Sequence, residues 1–224
     1  MVTEVLAHLL GGLAEPGEGH PLLVDGTVGL GGHTSALLEA RSDVRVLGLD
    51  RDDEALALAR TRLEPFGDRV RLVHASYADV SDVLASEALP APSGVLLDLG
   101  ASSLQFDDPE RGFSFRDGRE GADMRFDRSA DVPTALDLAN HLDERQLADA
   151  IHELGEEPRA RAVARAIVRS RPIRDGAHLA EVVRGAAFRT RRHDAATRTF
   201  QALRIAVNDE YAVLERGLEA VLDA

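Results

Sequence analysis

An α/β architecture built on a parallel sheet is what this 224-residue sequence predicts. Short runs that are apolar throughout, rather than alternating, suit strands buried on both faces. Helix-like stretches separate those runs, which is the rhythm of βαβ crossovers. Three of the four runs lead into an aspartate (Asp25, Asp50 and Asp98), at the strand ends where such sheets hold ligands.

The apolar runs are Leu22–Val24, Val44–Leu49, Val70–Val73 and Gly94–Leu97. Between them the residue pattern predicts helices over His33–Ala40, Asp52–Leu63 and, less distinctly, Asp79–Ala85. After Leu99 the rhythm breaks. Asp107–Asp131 is rich in Gly, Asp, Arg and Phe without a clear period, and reads as a long functional loop. From Thr134 to Ala187 the pattern is helical in three stretches, with Gly155 and Pro172 as stops. A last amphipathic helix is expected from Thr197 to Leu222.

Composition narrows the chemistry. There is no cysteine, which excludes a disulfide scaffold, a thiolate metal site and a cysteine nucleophile. No metal site is expected. No apolar run approaches the ~18–20 residues needed to span a bilayer. The first residues lack a basic segment, so no signal peptide is expected, and a soluble, cytoplasmic protein without membrane contact is. The formal net charge is −13, yet it is unevenly spread. Between Arg159 and Arg204 there are 12 arginines against Asp175, Glu181 and Asp194. An acidic body with one basic arm meets nucleic acid through that arm, unless the arm is merely a solvated face. All 26 basic residues are arginine, which GC-rich coding bias explains; their position says more than their identity.

The first apolar run enters Asp25-Gly26-Thr27-Val28-Gly29-Leu30-Gly31-Gly32-His33 and then a helix. Glycines at such a turn let a ligand approach the backbone and the amides of the helix start. Asp50 lies 19 residues beyond Gly31, where nucleotide-binding sheets place the acid that accepts ribose hydroxyls. The dinucleotide fingerprint would need glycine at position 34, which is threonine, and a phosphate loop would need a lysine, which the chain lacks. Asp25 at the mouth of the loop would repel pyrophosphate and welcome an ammonium. These features favour S-adenosyl-L-methionine, which carries an adenosine, a sulfonium and an ammonium but no phosphate. Asp98 at the end of the fourth run would lie near the methionine end and the acceptor, unless it merely caps its strand.

Five segments then carry a resemblance: Asp25–His33, Leu96–Gln105, Arg111–Phe115, Asp123–Asp127 and Ala196–Ile205. In this order they resemble the small-subunit methyltransferase H family, the bacterial 16S ribosomal RNA cytosine-N4 methyltransferases. The resemblance implies a class I, Rossmann-like methyltransferase with a helical insertion, S-adenosyl-L-methionine as donor, and a cytidine of the small ribosomal subunit as acceptor. It implies that Gly31, Gly32 and His33 line the methionine side, that Asp50 holds the ribose, that Tyr77 lies against adenine, and that Asp98 and Gln105 close the site. The expected divisions are a cofactor domain over 1–106, a loop and helical RNA-recognition insertion over 107–196, and a C-terminal helix over 197–224 that returns to the first domain. Family members continue past that helix into further strands. The expectation here is a sheet lacking its last strands, with the fourth strand an open edge and a possible dimer contact.

No catalytic residue is singled out. The cytosine amine shares its lone pair with the ring, so a hydrogen-bond acceptor on its N–H would free that pair; Asp98 or a nearby carbonyl is the candidate. Arg189, Arg191, Arg192 and Arg198 are expected on phosphates, and Phe113 and Phe115 on a flipped base, or else holding the loop to the body. The rival reading is a catalytically impaired fragment that only binds RNA or the ribosome. A nicotinamide dehydrogenase is disfavoured by Thr34.

Overall fold

The structure, a computed structural model, describes residues 2–13, 19–114, 121–186, 194 and 196–224. Two compact units emerge, one of Met1–Gly100 with Ala212–Ala224, the other of Ala101–Tyr211.

The first unit is the parallel sheet. Strands β1 (Leu22–Asp25), β2 (Arg45–Asp50), β3 (Val70–His74) and β4 (Gly94–Leu96) lie in the order β3-β2-β1-β4. Leu23 pairs with Val46 and Gly94, and Asp25 with Gly48 and Leu96, so the C-terminal ends of β1, β2 and β4 are aligned. The period-two alternation of a strand divides the apolar residues between two faces. Leu23 and Val46 pack with Leu37 and Leu38 of α2 (Gly32–Ala40) and Leu56 and Leu63 of α3 (Asp53–Leu63). Leu6, Leu9 and Leu10 of α1 (Val2–Gly11) join that face. Leu22, Val24, Leu47 and Leu49 pack on the other with Val80, Val83 and Leu84 of α4 (Val80–Ser86) and with Ala220 and Val221 of the C-terminal helix. Each of these fully buried leucines contributes about 1.5–3 kcal/mol relative to exposure. Asp52 starts α3 by accepting hydrogen bonds from the amides of Glu54 and Ala55 at 3.1 and 3.2 Å.

The second unit is helical: α5 (Ser103–Asp107), α6 (Ala135–His141), α7 (Glu144–Glu153), α8 (Ala160–Arg169), α9 (Gly176–Ala186) and α10 (Thr197–Asn208). Its core joins Leu147 and Ile151 of α7, Val163 and Ile167 of α8, Leu179 and Val183 of α9, and Phe200 and Leu203 of α10. The segment from Pro109 to Val132 has no regular structure where it is described, as expected, yet it is tightly held. Arg111 is fully buried and donates to the carbonyls of Arg125 and Phe126, both at 3.0 Å. Asn208 grips the same turn from α10, accepting from the Phe126 amide and donating to the Met124 carbonyl, each at 2.7 Å.

Several boundaries differ from expectation. The stretch after Thr134 is two helices, because Asp143 forms a capping box with Gln146 and starts α7 afresh. The final helix is also two. Asp209 takes a left-handed conformation (φ 50°) that ends α10, and α11 (Glu210–Asp223) follows. The expected return to the first domain at residue 197 therefore comes later, after Tyr211, since the apolar face of α10 is built into the helical core. The insertion likewise begins at Ala101 rather than at 107. No helix among the described residues is long and apolar enough to cross a membrane.

Candidate active site

The glycine turn is shaped by backbone. Gly29 and Gly31 have φ of 49° and 76°, which a side chain rarely tolerates, and Gly31 is the residue before α2. The Gly26 amide donates to the Leu96 carbonyl at 2.9 Å and the Val28 amide to the Leu49 carbonyl at 3.0 Å. The loop is thereby tied to β4 on one side and β2 on the other. No side chain caps the start of α2, so its first amides have no competing acceptor from a cap.

Asp50, at the end of β2, is fixed from two directions. Its Oδ2 accepts from the Gly29 amide at 2.7 Å and its Oδ1 from the Asp52 amide at 2.9 Å. Burial pushes this carboxyl up from its ordinary range, opposed by the amides of Asp52, Gly29 and Arg51.

Asp25 behaves differently. Rather than standing at the mouth of the loop it is buried beneath it, accepting from the Thr34 hydroxyl at 2.7 Å and from the Thr27 amide at 3.3 Å. Burial raises its carboxyl too, with Thr34 and Thr27 pulling it back. The carboxylate that does reach the surface is Asp98, which is exposed. Its amide donates to Thr27 Oγ1 at 2.7 Å and its Oδ2 lies 3.5 Å from His33 Nε2. His33 Nδ1 is buried with no hydrogen-bond partner among the described residues.

The structure thus gathers Gly31, Gly32, His33, Asp50 and Asp98 at the C-terminal ends of β1, β2 and β4. Tyr77, in a short 3-10 turn after β3, stands beside the first glycine: a Cβ at Gly26 would be 2.8 Å from Tyr77 Cβ. Its ring rests on Gly217 of α11, where an added Cβ would meet it at 2.3 Å. Gln105 belongs to the second unit and is buried there as the N3 residue of the α5 capping box. Its Oε1 accepts from the Ser102 amide at 2.9 Å.

The nucleic-acid candidates fare unevenly. Phe113 is buried, stacked on Phe126 with ring centroids 5.7 Å apart and edge-on to Phe106 at 6.3 Å. It holds the loop to the helical core and is not presented to a base. Arg198 donates to the Glu156 carbonyl at 3.1 Å and lies 4.0 Å from the Glu157 carboxylate. Phe115, Arg189, Arg191 and Arg192 lie outside the described residues. Thr27 and Thr34 were missed by sequence reasoning as site builders. The signal for Thr34 was a hydroxyl at the helix start where a dinucleotide site has glycine.

The donor set fits an adenosyl ligand without phosphates. It offers a fixed carboxylate, a tight glycine turn and a buried imidazole nitrogen that lacks a partner among the described residues, with no lysine in the chain. The chain is 47% identical to Ribosomal RNA small subunit methyltransferase H of Parafrankia sp. (strain EAN1pec) over 100% of its own length and 69% of the relative's. It is 49% identical to the protein of that name from Nocardioides sp. (strain ATCC BAA-499 / JS614), over 91% of this chain and 65% of the relative. The Beutenbergia cavernae protein of the same name is 50% identical over 91% of this chain and 62% of its own. The chain therefore spans about two thirds of the length of the relatives it matches. The family profile extends over residues 2–224, and this chain belongs to the MraW methylase family.

Proposed function

We propose that this chain serves S-adenosyl-L-methionine-dependent methylation of cytidine N4 in 16S ribosomal RNA. The observation that carries the reading is Asp50, locked to the Gly29 amide at the ligand edge of the sheet. Identities of 47–50% to proteins called Ribosomal RNA small subunit methyltransferase H supply the substrate class.

In this reading Asp50 accepts the ribose hydroxyls, the turn at Gly31 and Gly32 admits the methionine end, and His33 Nδ1 finds its missing partner there. Tyr77 flanks the adenine. The donor, when bound, would supply a sulfonium methyl for in-line attack by the amine, with the neutral thioether leaving and the amine giving up a proton. Asp98 is the exposed carboxylate placed to accept an N–H of the cytosine amine, returning its lone pair to reactivity; a neighbouring backbone carbonyl is the other acceptor at that strand end. The arginine-rich segment from Arg159 to Arg204 holds the RNA, with Arg189, Arg191, Arg192 and Arg198 on phosphates. The small ribosomal subunit is the partner and the cytoplasm the compartment. β4, which pairs with β1 on one side, is the edge through which a second copy would dock.

Incubation with methyl-labelled donor and small-subunit RNA tests this. Label in a cytidine of the 16S species is expected. RNA that is bound but never labelled would overturn the enzymatic reading.

A further inference from the structure

The basic arm contains a feature that the expected phosphate contacts do not use. α8 places Arg161, Arg165 and Arg169 at intervals of four residues, so all three share one exposed face. The opposite face, Ala160, Val163, Ala164 and Ile167, is buried in the helical core. Arg165 meets Glu144 at 3.3 Å between two half-exposed side chains. Arg161 and Arg169 have no hydrogen-bond or ionic partner among the described residues.

This row works against its own helix. Like charges four residues apart repel. Arg161 sits in the first turn, where the helix dipole disfavours a cation, and that turn contains no acid. Arg159 precedes α8 without a side-chain cap, whereas α6 and α7 both begin with complete capping boxes. α10 also starts without a side-chain cap, and the Arg159 amide donates to the Glu157 carboxylate at 2.9 Å, so what sets α8 apart is the exposed arginine row itself. No large hydrophobic residue is exposed on α8, so the face lacks the apolar centre of a protein interface. A row of guanidinium groups rising about 6 Å per step matches a repeating anion instead.

We propose that the Arg161–Arg165–Arg169 face of α8 is a docking surface for the sugar-phosphate backbone of RNA. It rests on the RNA-modifying reading above and extends it to a defined helix face. The test is the salt dependence of binding to a 16S ribosomal RNA transcript by the full chain, the triple Arg→Gln variant and the triple Arg→Lys variant. Each phosphate contact contributes about 0.7–0.9 to the slope of log K against log salt. The Gln variant is expected to keep its circular-dichroism spectrum and lose about two from that slope, with the Lys variant retaining it. A slope unchanged in the Gln variant overturns the docking surface and leaves the methyltransferase reading intact. So does a Gln variant that loses only a salt-sensitive dimer in sedimentation, which would make the row a protein contact. A wild-type chain with no salt-dependent RNA binding overturns both.

Discussion

At Asp50, the amides of Gly29 and Asp52 each hold one carboxylate oxygen and fix the side chain at the ligand edge of the sheet. The position was legible because a strand end and a fixed distance from a glycine turn are sequence features. Asp25 shares the strand-end signal but is turned inward by Thr34, and a single hydroxyl has no periodic signature to reveal that. The sequence leaves Phe113 between stacking on a base and holding the loop, and Phe106, Phe126 and buried Arg111, which enclose it, favour the second. The burial that raises Asp50 has a measurable consequence. Ribose hydroxyls donate to the ionised carboxylate, so protons compete with the ligand. Affinity for S-adenosyl-L-methionine should be constant above the raised pKa and weaken as pH falls through it, beginning at a higher pH than an ordinary aspartate would give. The Asp50→Asn variant should lose that dependence. A flat wild-type profile from neutral pH down to the ordinary aspartate range would contradict the assignment.

Among the elements, the four strands emerged within about a residue of expectation, since short runs without a polar face fit little besides a strand covered on both sides. Helix breaks were harder. Asp143 caps α7 with Gln146 and Asp209 turns left-handed after α10, and continuous amphipathic periodicity across both masked the breaks. No element was expected before Leu22, where α1 forms. The long segment after Pro109 was read as irregular, and its order comes from side chains distant in sequence, Arg111 and Asn208. Gly112 is where that segment is least forgiving. Its φ is 71°, and a Cβ there would lie 2.5–2.6 Å from backbone atoms of Gly121 and Ala122. Gly112→Ala should cost about 3 kcal/mol or more in denaturant unfolding. Gly185, in α9 with nothing within 4 Å of an added Cβ, should tolerate alanine with a gain of about 0.5 kcal/mol. Equal effects at the two sites would refute the close backbone crossing.

Across the molecule, charge and chemistry divide between the two units. The first carries 19 acidic residues against 8 arginines, the second 20 against 18. The acidic unit holds the glycine turn and its carboxylates, suited to a cationic ligand without phosphate; the nearly neutral one concentrates its arginines on the segment after Arg159. Calorimetric titration of S-adenosyl-L-methionine into the 224-residue chain and its Asp50→Ala variant probes the first half of that division. Saturable binding at one site per chain, abolished in the variant, is the predicted result. No binding by the wild-type chain, or equal affinity in both, would contradict it.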